Sequence, residues 1–152
     1  MKICFTSSSG GHFEQLMMLK ELMIENDSFI LTEKTSYSSE LNLPCSIEYL
    51  EQINRTEKLV GFKFVKNTIL SLKYYFKYKP DVIISTGALA TIPICILSKI
   101  FRKKIVFIES FAKTNSKTLS GKFIYKFADL FYVQWETMLK EYPKAKYKGT
   151  IY

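Results

Sequence analysis

The residues best suited to chemistry stand at the start of the chain, in Ser7-Ser8-Ser9-Gly10-Gly11-His12. An apolar run over residues 2 to 6 enters them, and apolar positions at helical spacing follow. Small residues let the backbone turn sharply and approach a ligand closely, and the start of a helix leaves N–H groups without partners. That combination is an anion site, and the serine hydroxyls add donors for phosphate oxygens. The loop lacks the lysine of a P-loop and the spaced glycines of the dinucleotide fingerprint, so it reads as neither an ATPase nor an NAD site. The competing reading is a tight turn at Gly10-Gly11 with no ligand.

His12 is the sole histidine of the chain. Beside an anion site its ring could accept a proton from an attacking hydroxyl or hold that hydroxyl in place; the alternative is a structural or surface histidine. Glu109 closes an apolar run and precedes Ser110, which places it where strand-end loops converge; otherwise it is an exposed loop carboxylate. Glu33, ending an earlier run, is a weaker candidate of the same kind. No two carboxylates have the spacing of a hydrolytic pair, and one histidine does not build a histidine-rich metal site. No metal and no cofactor are expected.

The elements that must position these residues follow from periodicity. Strands are predicted at 2–6, 28–32, 46–50, 82–85, 105–108 and 130–133. Helices are predicted over about 12–25, 57–78, 118–128 and up to about Phe101, with Pro93 in a first turn, and a short helical segment over 136–141. Strands alternating with helices predict an α/β fold: a Rossmann-like, mainly parallel sheet with helices on both faces, forming a single domain over 1–152. Ligands gather at the carboxyl ends of such strands, which selects the loops Ser7 to Gly11, Thr86 to Ala90 and Glu109 to Asn115.

With 22 Lys and Arg against 14 Asp and Glu, the chain carries a net charge of +8, which favours an anionic partner. The stretch Arg55 to Lys79 concentrates this charge, including Lys63, Lys66 and Lys73, among many aromatic and aliphatic residues. Such a helix suits the interface of an anionic membrane, where Lys63, Lys66 and Lys73 would meet lipid phosphates; the alternative is a core helix with a solvated lysine face. No helix-turn-helix or RNA-binding motif accompanies the charge, and a nucleic-acid-binding module remains only a remote alternative. Cys4, Cys45 and Cys95 are widely spaced in apolar runs and read as buried, reduced hydrophobes. The start of the chain lacks a signal-peptide core, and the charge-free run Val82 to Ser98 is interrupted by Gly87 and Pro93, so neither export nor a membrane span is expected.

Three groups of residues, in order and spacing, resemble the acceptor-side half of GT-B glycosyltransferases: Ser7 to His12 with Leu16, then Ser85-Thr86-Gly87-Ala88 with Pro93, then Phe107-Ile108-Glu109-Ser110. The sequence also resembles the small subunit of the two-part UDP-N-acetylglucosamine transferase of lipid-linked oligosaccharide synthesis, and its bacterial relatives in capsular and exopolysaccharide assembly. It also resembles the N-terminal domain of the peptidoglycan lipid-intermediate N-acetylglucosaminyltransferase.

The resemblance implies a peripheral protein at the cytoplasmic face of the cell membrane that binds a polyprenyl-diphosphate-linked saccharide. A partner subunit would bind the nucleotide sugar, and the chain would not be active alone. The implied acceptor-binding set is Ser8, Ser9, Gly10, Gly11, Thr86 and Gly87, with His12 as candidate base and Glu109 on the glutamate of a His-Glu motif. Ile108 stands where that motif has histidine. On this resemblance no counterpart of the eukaryotic subunit's N-terminal membrane helix is expected before the first strand, and Gly149-Thr150 falls near the point where a single-chain enzyme would cross to its donor domain. A non-catalytic membrane scaffold that enhances the partner is the alternative, and self-association is possible for the isolated subunit.

Overall fold

The computed structural model describes residues 1–34, 45–54 and 56–152. Strands β1 (Lys2–Ser7), β2 (Asp27–Glu33), β3 (Ser46–Leu50), β4 (Val82–Gly87), β5 (Lys104–Ile108), β6 (Leu130–Val133) and β7 (Lys146–Tyr147) form one sheet in the order β3-β2-β1-β4-β5-β6-β7. All the pairings are parallel. The helices are α1 (Gly11–Met17), α2 (Lys20–Ile24), α3 (Val60–Tyr78), α4 (Ile92–Ile100) and α5 (Leu119–Ile124), with 3₁₀ turns at Leu89–Thr91 and Glu136–Leu139.

Strand alternation sorts the core into two layers. Cys4, Phe29, Leu31, Ile83, Ile105, Phe107 and Phe131 pack against α3, α4 and α5. Their neighbours Ile3, Phe5, Ile30, Ile84 and Ile108 face the opposite way, against Leu16 of α1 and Met23 of α2. Helices therefore cover both faces, as the sequence predicts. The architecture has the strand order of a Rossmann-like sheet, with its switch point between β1 and β4: the chain winds outward from β1 to β3, and α3 carries it back to β4.

The expected helix over 12–25 is divided. Leu19 leaves helical geometry with ψ near 17°, and its N–H bonds to the Leu16 carbonyl in a tightened turn. No glycine or proline marks this break. The expected helix over 118–128 closes at Ile124 and continues as turns whose N–H groups return to Phe123 and Ile124. Asp129 then clamps the start of β5, accepting the Ile105 N–H at 2.9 Å. Strand β7 was not expected; its two residues hold the edge beside β6. Arg55, the first residue of the basic stretch, lies outside the described residues.

Cys4 and Cys95 are fully buried, whereas Cys45 is only half-buried and departs from the expectation of three buried thiols. Burial pushes the Cys4 thiol well up and the Cys95 thiol up to about 12. Reaction with an alkylating agent needs access and thiolate. Native protein should therefore be alkylated at Cys45 well before Cys4 or Cys95, which should label only after denaturation; peptide mass mapping over time reads the order.

Candidate functional site

At the switch point, the carboxyl ends of β1 and β4 stand side by side. Their register shifts between Thr6 and Ser7, so that Ser7 pairs with Gly87. The loop after β1 and the turn after β4 are then stitched together by the Ser8 N–H, which donates to the Gly87 carbonyl at 3.3 Å.

Gly10 has φ 69° and ψ −141°, a conformation open to glycine, and its carbonyl accepts the N–H groups of Phe13 and Glu14 to begin α1. Among the described residues the N–H groups of Gly10, Gly11 and His12 have no acceptor. Gly11 has an ordinary φ, and a Cβ built on either glycine meets nothing within 4 Å. Nothing in the fold thus requires glycine at position 11. The absence of a side chain there keeps the approach to the free N–H groups open.

His12 and Thr86 lock these two loops reciprocally. The Thr86 hydroxyl donates to the His12 carbonyl at 2.7 Å, and His12 Nδ1 lies 2.8 Å from the Thr86 carbonyl. A carbonyl only accepts, so Nδ1 carries the proton, and in the neutral ring Nε2 is left with its lone pair. The ring also packs beside Gly87, where a Cβ would fall 3.4 Å from His12 Cε1. Sequence reasoning joined these loops at one end of the sheet; the structure turns that proximity into a fixed tautomer.

Several candidates act differently from the sequence expectation. Ser9 directs both its N–H and its hydroxyl to Glu33 Oε2, at 3.2 and 3.1 Å, so these donors brace the loop. Glu33, 4% exposed, also accepts the Ile53 N–H at 3.0 Å. Thr86 is fully buried and its polar atoms hold His12. Ser8 is buried, with its hydroxyl over the Ser9 carbonyl at 3.4 Å.

Glu109 is not an exposed loop carboxylate: it is 1% exposed. It accepts from Ser110 N–H, Thr118 N–H, Thr118 hydroxyl and Tyr142 hydroxyl, at 2.9, 3.3, 2.8 and 2.5 Å. Burial and the bond to Glu109 push the Tyr142 phenol far up, which keeps it a donor. Tyr142, Thr118 and Ser120 escaped the sequence reading because isolated hydroxyl residues have no periodic signature.

The turn after β4 is strained. Gly87 has φ 109°, and Ala88, with φ 87° and ψ 166°, occupies a region nearly reserved for glycine. Among the described residues no group of His, Cys, Asp and Glu has the arrangement to hold a metal ion.

On α3, Lys63 pairs with Glu57 and also donates to the Gln52 carbonyl, Lys66 pairs with Glu51 at 2.5 Å, and Lys73 lies over the Tyr74 ring. Two of the three expected membrane lysines are thus engaged by carboxylates. Instead, Phe62, Val65, Ile69 and Phe76 are 69%, 58%, 60% and 54% exposed and recur along one face of the helix. Phe101 continues that face, its ring 5.6 Å from that of Phe76.

Comparison with known proteins places this architecture. A family model described as "Oligosaccharide biosynthesis protein Alg14 like" matches residues 3–151. The UDP-N-acetylglucosamine transferase subunit ALG14 of Yarrowia lipolytica is 28% identical over 176 residues, covering 99% of this chain and 81% of that protein. Its Rattus norvegicus counterpart is 32% identical over 139 residues, covering 84% and 58%. Among solved structures, Acinetobacter baumannii MurG superposes with a TM-score of 0.73 at 15% identity, over 99% of this chain and 46% of that one. The UDP-GlcNAc 2-epimerase of Methanocaldococcus jannaschii gives 0.74 at 17% identity, over 99% and 47%. The chain spans about half the length of those two structures, and the likeness to them is one of fold.

Two substitutions test the geometry. A Cβ on Gly121 would stand 2.1 Å from Glu109 Oε2 and 2.7 Å from both Thr118 Oγ1 and the Tyr142 hydroxyl. Gly121→Ala should therefore destabilise by about 1–3 kcal/mol or more. Ala88→Gly releases strain of about 1–3 kcal/mol against about 0.5–1 kcal/mol of added chain entropy. Thermal unfolding should show a higher midpoint for Ala88→Gly and a lower one for Gly121→Ala.

Proposed function

The chain belongs to the Alg14-like family of oligosaccharide biosynthesis proteins, and from that premise we propose that it is the acceptor-side subunit of a two-chain glycosyltransferase. It holds a polyprenyl-diphosphate-linked saccharide at the cytoplasmic face of a membrane, in capsular or exopolysaccharide assembly. A partner chain carries the nucleotide sugar, and this chain is not active alone. The relatives' description as transferase subunits supports the division of labour.

The observation that carries the reading is that His12, whose Nε2 is left as acceptor by the Nδ1 bond to Thr86, directly follows the free N–H groups at Gly10 and Gly11 at the start of α1. The acceptor diphosphate lies against those N–H groups, beside Ser8 and Gly87. Neutralising a phosphate there needs no lysine, because backbone dipoles supply the positive potential. The acceptor hydroxyl gives its proton to His12 Nε2 as its oxygen bonds to the anomeric carbon. The bond from that carbon to the donor's diphosphate breaks, and the nucleotide diphosphate leaves on the partner. Holding both substrates across one cleft supplies much of the rate. Ser9, Thr86 and Glu109 position these groups.

Among the described residues no helix is long and apolar enough to cross a membrane. The exposed face of α3 supplies a peripheral attachment, with Phe62, Val65, Ile69 and Phe76 entering the interface and lysines flanking them. The interlock of His12 with Thr86 also favours a second reading, in which His12 only holds the fold and the chain is a non-catalytic scaffold.

Three measurements test these assignments. His12→Ala, assembled with the partner, should lower turnover about 10²–10⁴-fold if His12 is the base; unchanged turnover in an intact complex selects the scaffold. Gly11→Ala should keep or raise thermal stability yet raise the KM for the lipid acceptor, because only the ligand needs the open backbone; an unaltered KM removes the diphosphate from this loop. In vesicle co-sedimentation, Phe62→Glu with Ile69→Glu should weaken binding to anionic liposomes by about tenfold or more per residue. The triple change of Lys63, Lys66 and Lys73 to Glu should have a smaller effect. Equal or reversed effects would move the membrane contact off the apolar face.

A further inference from the structure

Ser120, in the first turn of α5, is buried, and neither its sequence context nor the proposed reaction gives it a role. Its Oγ accepts the Ala88 N–H at 3.3 Å and lies 3.4 Å from Thr118 Oγ1. Thr118 has one hydroxyl proton, and that proton goes to Glu109 Oε1 at 2.8 Å. Ser120 must therefore be the donor to Thr118. The links form one directed chain: Ala88 N–H to Ser120, Ser120 O–H to Thr118, Thr118 O–H to the Glu109 carboxylate. Its last member only accepts, so no link can reverse without losing a bond, and aligned bonds of this kind polarise and strengthen one another.

A second chain reaches the same turn from the other side. The Gly87 N–H donates to Ser85 Oγ at 3.1 Å, the Ser85 hydroxyl to Thr91 Oγ1 at 3.2 Å, and the Thr91 hydroxyl to the Ala88 carbonyl at 2.9 Å. Ala88 is thus gripped at its N–H and at its carbonyl, in a conformation that an alanine leaves when released. The peptide just before this turn presents the Thr86 carbonyl to His12 Nδ1.

We propose that Ser120, backed by Thr118 and Glu109, is a positioning residue that fixes the Gly87-Ala88 turn and through it sets the tautomer of His12. The structural part stands without a substrate; its consequence for turnover rests on the acceptor-side reading and the role of His12 in it. Glu109 then serves the base through two hydroxyl groups and a strained turn, without touching the reacting atoms.

His12 is the only histidine, so ¹⁵N-detected NMR of the full chain reads its tautomer without ambiguity. Wild-type protein should show the Nδ1–H form and a protected Ala88 amide. In Ser120→Ala the Ala88 amide should exchange about five- to tenfold faster. The two ring-nitrogen shifts should also converge as the Nε2–H tautomer, which an unconstrained histidine side chain prefers, gains population. Ile124→Val, a core truncation on the same helix, should change neither signal, which separates positioning from general loss of stability.

A folded Ser120→Ala with wild-type ring shifts overturns the proposal. So does an Ala88 amide that exchanges rapidly in the wild-type protein, a result that needs no variant at all. In the assembled complex with lipid acceptor, Ser120→Ala should lower kcat several-fold with little change in KM. A changed tautomer with unchanged kcat leaves the relay standing and removes the catalytic role of His12.

Discussion

The pairing of β1 with β4 is the constraint on which the site depends. These strands meet only because the chain leaves β1 for β2 and β3 on one side and returns through the 19-residue α3 on the other. The return opens a crevice at the switch point, where neighbouring loops diverge above adjacent strands. The His12 and Thr86 groups bridge that crevice across 74 residues of sequence. A parallel sheet gives these loops no ladder partners of their own beyond its end. Their order must come from side chains and from stray carbonyls, and both are supplied here.

Two buried carboxylates provide most of the remaining order, and their placement is nearly symmetric. In the strand sequence β2-β1-β4-β5, Glu33 ends the first and the residue following the last is Glu109. Glu33 draws in the loop after β1 through Ser9, and Glu109 reaches the turn after β4 through Thr118 and Ser120. Each charge is buried only because several donors surround it, which is the condition for a buried carboxylate to persist. At the opposite end of the sheet the acids behave otherwise. Asp81 and Asp129 take the N–H groups of Lys2 and Ile105 and pair with Lys103 and Lys104 at the surface. The candidate-site end is thus braced from within by carboxylates that accept hydrogen bonds, and the loop after β1 presents free N–H groups.

The sequence made the sheet legible because buried parallel strands leave continuous apolar runs bounded by glycine, proline and polar loops, a signal that survives without neighbours. Six of the seven strands and the long helix α3 follow from it. The break at Leu19 and the two-residue β7 do not, because tertiary contacts impose them on segments with no local breaker. At the site, Ser7 to His12 and Thr86-Gly87 were legible as loops at one end of the sheet. What each donor does was not: Ser9 and Thr86 have the chemistry of ligand-binding residues, and only the position of Glu33 and of the His12 ring commits them to bracing. Glu109 was recognisable as a strand-end acid, yet its burial depends on Tyr142, which lies 33 residues further along the chain. The hydrogen-bond relay through Ser120 has no pattern in sequence at all.

The basic helix shows the same difference between composition and surface. Counted along α3, every charged residue is a lysine; in space, Glu48, Glu51 and Glu57 come from β3 and the segment after it to meet Lys77, Lys66 and Lys63. What remains uncovered on the outer face is mainly apolar. An apolar side chain that leaves water contributes about 1.5–3 kcal/mol, whereas a lysine near an anionic surface contributes about 1 kcal/mol and less at higher salt. If the face on which Phe62, Val65, Ile69 and Phe76 stand exposed together meets a membrane, as proposed, hydrocarbon burial sets the strength of that attachment. On that reading the lysines that remain set the preference for anionic lipid. Pairing Lys63 and Lys66 with carboxylates would lower that preference without weakening the apolar grip, so on the proposed reading the attachment tolerates a change in anionic lipid content.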